Sequence, residues 1–62
     1  MKSEITVTVR IHDTTGDADL LVYRDGIQED QFDTYYLEDG GAGKALEVAR
    51  TITARKPFIK RV

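Results

Sequence analysis

Cysteine is absent from the chain, which excludes disulfide staples, thiol nucleophiles and cysteine-ligated zinc. Histidine occurs once, as His12, and serine once, as Ser3. His12 and Asp13 are neighbours, so in a strand they face opposite sides and form no dyad. No histidine stands beside a nucleophile in the pattern, and His12 reads as a solvent-facing strand residue without the partners a catalytic site needs. Long apolar runs are also missing. Nothing approaches the roughly 20 residues that a membrane span requires, and the opening MKSEITVTVR lacks the apolar stretch of a signal peptide. A cytoplasmic location is the expectation.

Sixty-two residues predict a single small globular domain, 1–62, with a thin stability margin. Small domains without staples often gain stability by association, and a homodimer is expected. The hydrophobic fraction of 40% suits a folded globule.

The strongest local pattern runs from Glu38 to Pro57. At 100° per residue, Ala42, Ala45, Leu46, Val48, Ala49 and Ile52 share one arc, while Lys44, Glu47, Arg50, Thr51 and Arg55 face away. Small residues at the centre of the arc let a helix approach a sheet closely. Pro57 disfavours helical geometry at Lys56, so the helix is expected to end about there. Residues 4–12 alternate with period two, Ile5, Val7, Val9 and Ile11 on one side, which predicts a half-buried strand. Leu20 to Arg24 reads as a second strand. Asp25-Gly26 then supplies a hairpin turn, with an exposed tip and a third strand from Gln31 to Glu38. Phe58 to Val62 reads as a short edge strand whose cations block further pairing.

The expected fold is therefore α+β: an antiparallel three- or four-stranded sheet with one helix packed on one face, in β-β-β-α-β order. The expected core is Ile5, Val7, Val9, Ile11, Leu21, Tyr23, Phe32, Ala45, Leu46, Ala49 and Ile52.

Charge is unevenly placed. Residues 1–43 hold three bases against ten acids, whereas residues 44–62 hold six bases against Glu47 alone. Such asymmetry points to partners. Three chemical motifs fail on inspection. Gly40-Gly41-Ala42-Gly43-Lys44 suggests a phosphate loop, but Glu38 stands where its first glycine belongs and Ala45 where a magnesium-ligating hydroxyl belongs. It reads instead as a sharp turn into the helix, with Gly40, Gly41 or both at positive φ. The acidic stretch Asp25, Glu29, Asp30, Asp33, Glu38 and Asp39 does not follow the ligand order of a calcium loop. Paired carboxylates could serve glycoside hydrolysis, but so short a chain has little room for a substrate cleft. No catalytic, cofactor or metal site is expected.

Two binding surfaces remain. The first is a negative hairpin for a basic protein partner, made of Tyr23, Asp25, Glu29, Asp30, Asp33, Tyr35 and Tyr36, with the tyrosines as anchors. The second, ranked behind it, is a phosphate-contacting set of Lys44, Arg50, Arg55, Lys56, Lys60 and Arg61. In element order over residues 5–54, with the Tyr23-Arg24-Asp25-Gly26 hairpin as the point of similarity, the chain resembles the three-strand-plus-helix DNA-binding domains of integrase arms. The resemblance implies a sheet laid in the major groove. That family's sheet is rich in bases and this one is acidic, so no membership is assigned. The expected function is a non-enzymatic protein-binding module, a small regulator or inhibitor of a larger assembly. Nucleic-acid binding through the basic helix and tail is the alternative.

Overall fold

The computed structural model describes residues 3–29 and 33–62. Asp30 and Phe32, named above for the acidic surface and the core, lie outside the described residues. Among these residues the architecture is α+β, with one helix on a mixed, mostly antiparallel five-stranded sheet.

Strand β1 (Ile5–Ile11) forms where the apolar alternation predicts it. It pairs antiparallel with β2 (Ala18–Arg24), setting Val9 opposite Leu20 and Ile11 opposite Ala18. Side chains of directly opposed residues share a face. One face of the hairpin therefore carries Val7, Val9, Ala18, Leu20 and Val22, and the other carries Thr8, Arg10, Asp19 and Leu21. The turn after β2 is made by Asp25 at φ 54° and Gly26 at φ 83°. Two consecutive positive φ values match the twist of a two-residue hairpin. It leads into β3 (Ile27–Gln28), and β4 (Asp33–Tyr35) then pairs with the first half of β2 on the same side.

Of the third strand expected over Gln31 to Glu38, only Asp33–Tyr35 is a strand, and a 3-10 turn takes Leu37–Asp39. Gln31 and Phe32 lie outside the described residues, and the short β3 falls in the stretch expected as an exposed tip. A specific hydrogen bond accounts for the early stop: the Leu37 N–H donates to the Asp17 carboxylate at 2.9 Å. Gly40, at φ 112°, closes that turn through its own N–H to the Leu37 carbonyl. Helix α1 (Gly41–Ile52) follows. Gly41 sits at φ 53°, and a Cβ there would lie 2.6 Å from the Gly16 carbonyl oxygen. Both glycines of the turn take the left-handed conformation that the sequence suggests, and Gly41 is further required by close backbone approach.

Ala45 and Ala49 are buried on the sheet, as expected of small residues at the helix centre. The helix ends four residues earlier than the proline signal predicts. Thr53 is extended at φ −147°, and its hydroxyl accepts the Arg55 N–H. That local turn competes with another helical turn.

Strand β5 (Phe58–Arg61) pairs with β1 in parallel, so the sheet order is β3-β2-β1-β5. This corrects the expectation of a wholly antiparallel sheet. The reason is topological: β4 runs parallel to β1, and a helical crossover from β4 returns the chain in the same direction.

Between helix and sheet lie Val7, Val9, Ala18, Leu20, Ala45 and Ala49, flanked by half-buried Ile11, Val22, Tyr35, Leu46 and Val48. Each fully buried Val or Leu side chain contributes about 1.5–3 kcal/mol relative to exposure. The expected core needs three corrections. Leu21 is buried, but on the face away from the helix, and half-buried Tyr23 is on that face too. Ile52 is 40% exposed, because the helix stops at it rather than carrying it further over the sheet. Ala18 and Leu20 take the inner places, since β2 begins two residues earlier than its apolar run implies.

Candidate functional site

The residues of the expected acidic surface do not share one face. Asp25 lies at the hairpin tip, where its carboxylate accepts the Glu4 N–H at 2.8 Å. Glu29 is paired with Arg24 at 2.9 Å. Tyr23 is half-buried on the sheet face away from the helix, opposite Thr6. Tyr35 is packed against the core on the helix side. Desolvation, with the Asp33 carboxylate beside it, pushes the Tyr35 phenol upward from its ordinary value. Asp33 and Tyr36 are exposed.

The basic set divides more usefully. Arg55 is tied to Glu4 at 3.1 Å and Arg61 to Asp13 at 2.6 Å. Among the described residues, Lys44, Arg50, Lys56 and Lys60 make no ion pair. Where α1 gives way to β5, the chain encloses a groove of about 540 Å³. Leu46, Ala54, Pro57 and Ile59 supply its apolar wall, and Arg50, Arg55 and Lys56 its cations. The local sequence explains the shape. Thr53 ends the helix, Pro57 prevents its resumption, and the intervening turn swings out before β5 rejoins the sheet. Beside the groove, β5 is the outermost strand of its edge and pairs only with β1 among the described residues. Phe58 is 63% and Ile59 49% exposed, and Val62 is exposed as well. Ile59, the cations Arg50 and Lys56, and a strand edge without a second neighbour among the described residues therefore lie together. The sequence signal for it was Pro57 between a basic amphipathic stretch and FIKRV.

A second cluster lies on the sheet face away from the helix. Asp19, whose side chain is 8% exposed, accepts hydrogen bonds from Arg10 Nε and Nη2 at 3.0 and 2.7 Å. His12 Nε2 lies 2.8 Å from the same carboxylate oxygen, and the Thr34 hydroxyl donates to the other at 2.9 Å. Burial alone would raise the Asp19 carboxyl. The hydrogen bonds from His12, Arg10 and Thr34, with the guanidinium charge, outweigh it and hold the group below its ordinary 3.8. His12 is thus half-buried and paired across the hairpin, which corrects its reading as a solvent-facing residue without a partner. The missing signal was register. With β2 starting at Ala18, Asp19 falls opposite Arg10, one step from His12 on the same face.

Chemically, this cluster joins β1, β2 and β4 with one carboxylate. The Thr34 hydroxyl is engaged in donating to Asp19. Ser3 precedes β1, at the opposite end of that strand from His12. Among the described residues the arrangement brings no serine to the His12–Asp19 pair, and its hydrogen bonds act as a clamp on the hairpin. Among the described residues, no cluster of His, Asp and Glu is arranged to hold a metal ion, and no helix is long and apolar enough to cross a membrane. No protein family, curated protein or solved structure matches the chain.

Proposed function

We propose that the chain is a non-enzymatic protein-binding module, a small regulator or inhibitor of a larger assembly, and that its working surface is the α1–β5 groove with the adjoining edge of β5. One observation carries the reading. Exposed Ile59 lines a groove bordered by Arg50 and Lys56, and exposed Phe58 stands on the opposite face of the same strand, whose outer edge has no neighbour among the described residues. Apolar anchors with a charged rim are the usual composition of a protein interface. The acidic residues around the β2–β3 hairpin are less suited to that role, because Asp25 and Glu29 are already engaged within the fold.

The test is site-directed photo-cross-linking in the native cell, with the cross-linker replacing Ala54 in the groove or Glu47 on the exposed side of α1. A discrete protein adduct is expected at position 54 and not at 47. Adducts at 54 that nuclease removes, with binding to mixed-sequence DNA that falls steeply with added salt, would move the assignment to nucleic acid. Identical adduct patterns at both positions would remove the groove as the site.

A further inference from the structure

Resting on the protein-binding reading, we infer that β5 takes its partner by strand addition, and that the partner is an extended segment of alternating acidic and apolar residues. The register follows from two backbone hydrogen bonds. The Val62 N–H donates to the Ile11 carbonyl at 2.9 Å, and the Asp13 N–H donates to the Val62 carbonyl at 3.0 Å. Both backbone groups of Val62 therefore turn toward β1. Along a strand, successive residues turn their backbone groups to opposite edges. Phe58 and Lys60 consequently bond inward with Val62, while Ile59 and Arg61 present their N–H and C=O groups outward. These are the groups an added strand would pair with.

The side chains specify what that strand carries. Ile59 stands in register with Val9 on the helix side, next to the groove. An incoming residue beside it meets Leu46 and Pro57 as apolar surface, with Arg50 and Lys56 at the rim. Phe58 and Lys60, in register with Thr8 and Arg10, lie on the other face. An acidic side chain there faces Lys60, which has no ion pair among the described residues. The same cations decide against self-pairing. Two β5 edges brought together would set Lys56 and Lys60 against their own copies, and edge cations are a common guard against that contact. An acidic strand turns the guard into attraction, which is how charge confers partner choice.

The probe is a short synthetic peptide alternating glutamate and valine, titrated into the full chain and followed by amide NMR and hydrogen exchange. Slowed exchange at the Ile59 and Arg61 amides is expected, with those of Phe58 and Lys60 protected before and after. The same peptide N-methylated at alternate residues should lose binding, and a lysine–valine counterpart should not bind. Ile59→Pro removes one outward N–H and leaves the β1 side intact, so it should weaken binding roughly threefold to tenfold, the worth of one net hydrogen bond. Protected Phe58 and Lys60 amides in that variant show that β5 is still docked. Equal binding of the N-methylated peptide, with shifts confined to Leu46 and Arg50, overturns strand addition and leaves the protein-binding reading standing. Duplex DNA that displaces the peptide from the same residues overturns both. Protection of Ile59 and Arg61 without peptide, together with a doubled mass in sedimentation, assigns the edge to a second copy and overturns the acidic partner.

Discussion

Replacing Asp19 by asparagine should cost the domain a large part of its stability at neutral pH and progressively less in acid. The substitution keeps shape and removes charge. Three side chains lose their ionised acceptor: Arg10 through two nitrogens, His12 through Nε2, and Thr34 through its hydroxyl. Breaking a fully buried pair costs about 3–5 kcal/mol, because the stranded charge has no water. Here the Arg10 and His12 side chains are 34% and 38% exposed, so solvent recovers part of the loss. That reasoning brings the expected cost to about 2 kcal/mol. A chain of this length has about 3–9 kcal/mol in total, and the melting temperature should fall by about 8–16 °C.

The pH dependence has a definite sign. Because the folded-state carboxyl lies below its ordinary 3.8, the contribution is fully present above that value. It is lost as pH falls through the lower folded pKa. Urea unfolding followed by circular dichroism, on parent and variant, at neutral pH and at a descending series of pH values below 3.8, measures the gap between them. It should be wide at neutral pH and narrow progressively as the pH falls. A neutral-pH gap under about 0.5 kcal/mol, the ordinary scatter of surface substitutions, would refute the clamp. So would a gap that acid leaves unchanged.

Gly41→Ala should destabilise by about 2 kcal/mol or more, since it adds strain at φ 53° to a 2.6 Å approach to the Gly16 carbonyl. Gly43→Ala, with nothing within 4 Å of the new methyl, should be neutral or stabilise by up to about 1 kcal/mol in the same thermal melts. Ala45→Asp should leave the chain unfolded by circular dichroism, because it buries an unpaired charge under the helix. Ile52→Asp, at a 40% exposed position, should remain folded with a loss of about 1 kcal/mol, and unfolding at that position would show the helix face to be misassigned.

What the sequence made legible was whatever depends on local pattern. The alternation of residues 5–11, the Asp25-Gly26 turn, the glycine entry to the helix and the Ala45–Ala49 face all follow from period and backbone preference. What it hid was register and long-range direction. Leu20, Leu21 and Val22 are apolar without alternation, because β2 is a central strand in which Leu20 and Leu21 are buried on opposite faces. Nothing in that run says which residue faces the helix. The same ambiguity concealed Asp19: a strand begun at Leu20 leaves Asp19 in the loop, whereas one begun at Ala18 sets it against Arg10. The parallel direction of β5 was likewise invisible, since it is imposed by the crossover and not by Phe58 to Arg61 themselves. The α1–β5 groove depends on where α1 stops, and Thr53 decides that through a side-chain hydrogen bond that periodicity does not register.

The pairing of β5 with β1 joins positions fifty apart, Thr8 with Phe58. The β1–β2 hairpin closes a short loop, but this contact cannot form until nearly the whole chain has been gathered. On loop-closure entropy alone, docking of β5 is expected late in folding and its release early in unfolding, an order that native-state hydrogen exchange would check. If the outer edge of that strand is where a partner binds, only molecules with β5 in place can be occupied. Occupancy then draws the population toward the completed sheet by mass action. A partner would act as the missing neighbour on one side of a strand that, among the described residues, has a neighbour only on the other. Its concentration would set how often this small sheet is whole.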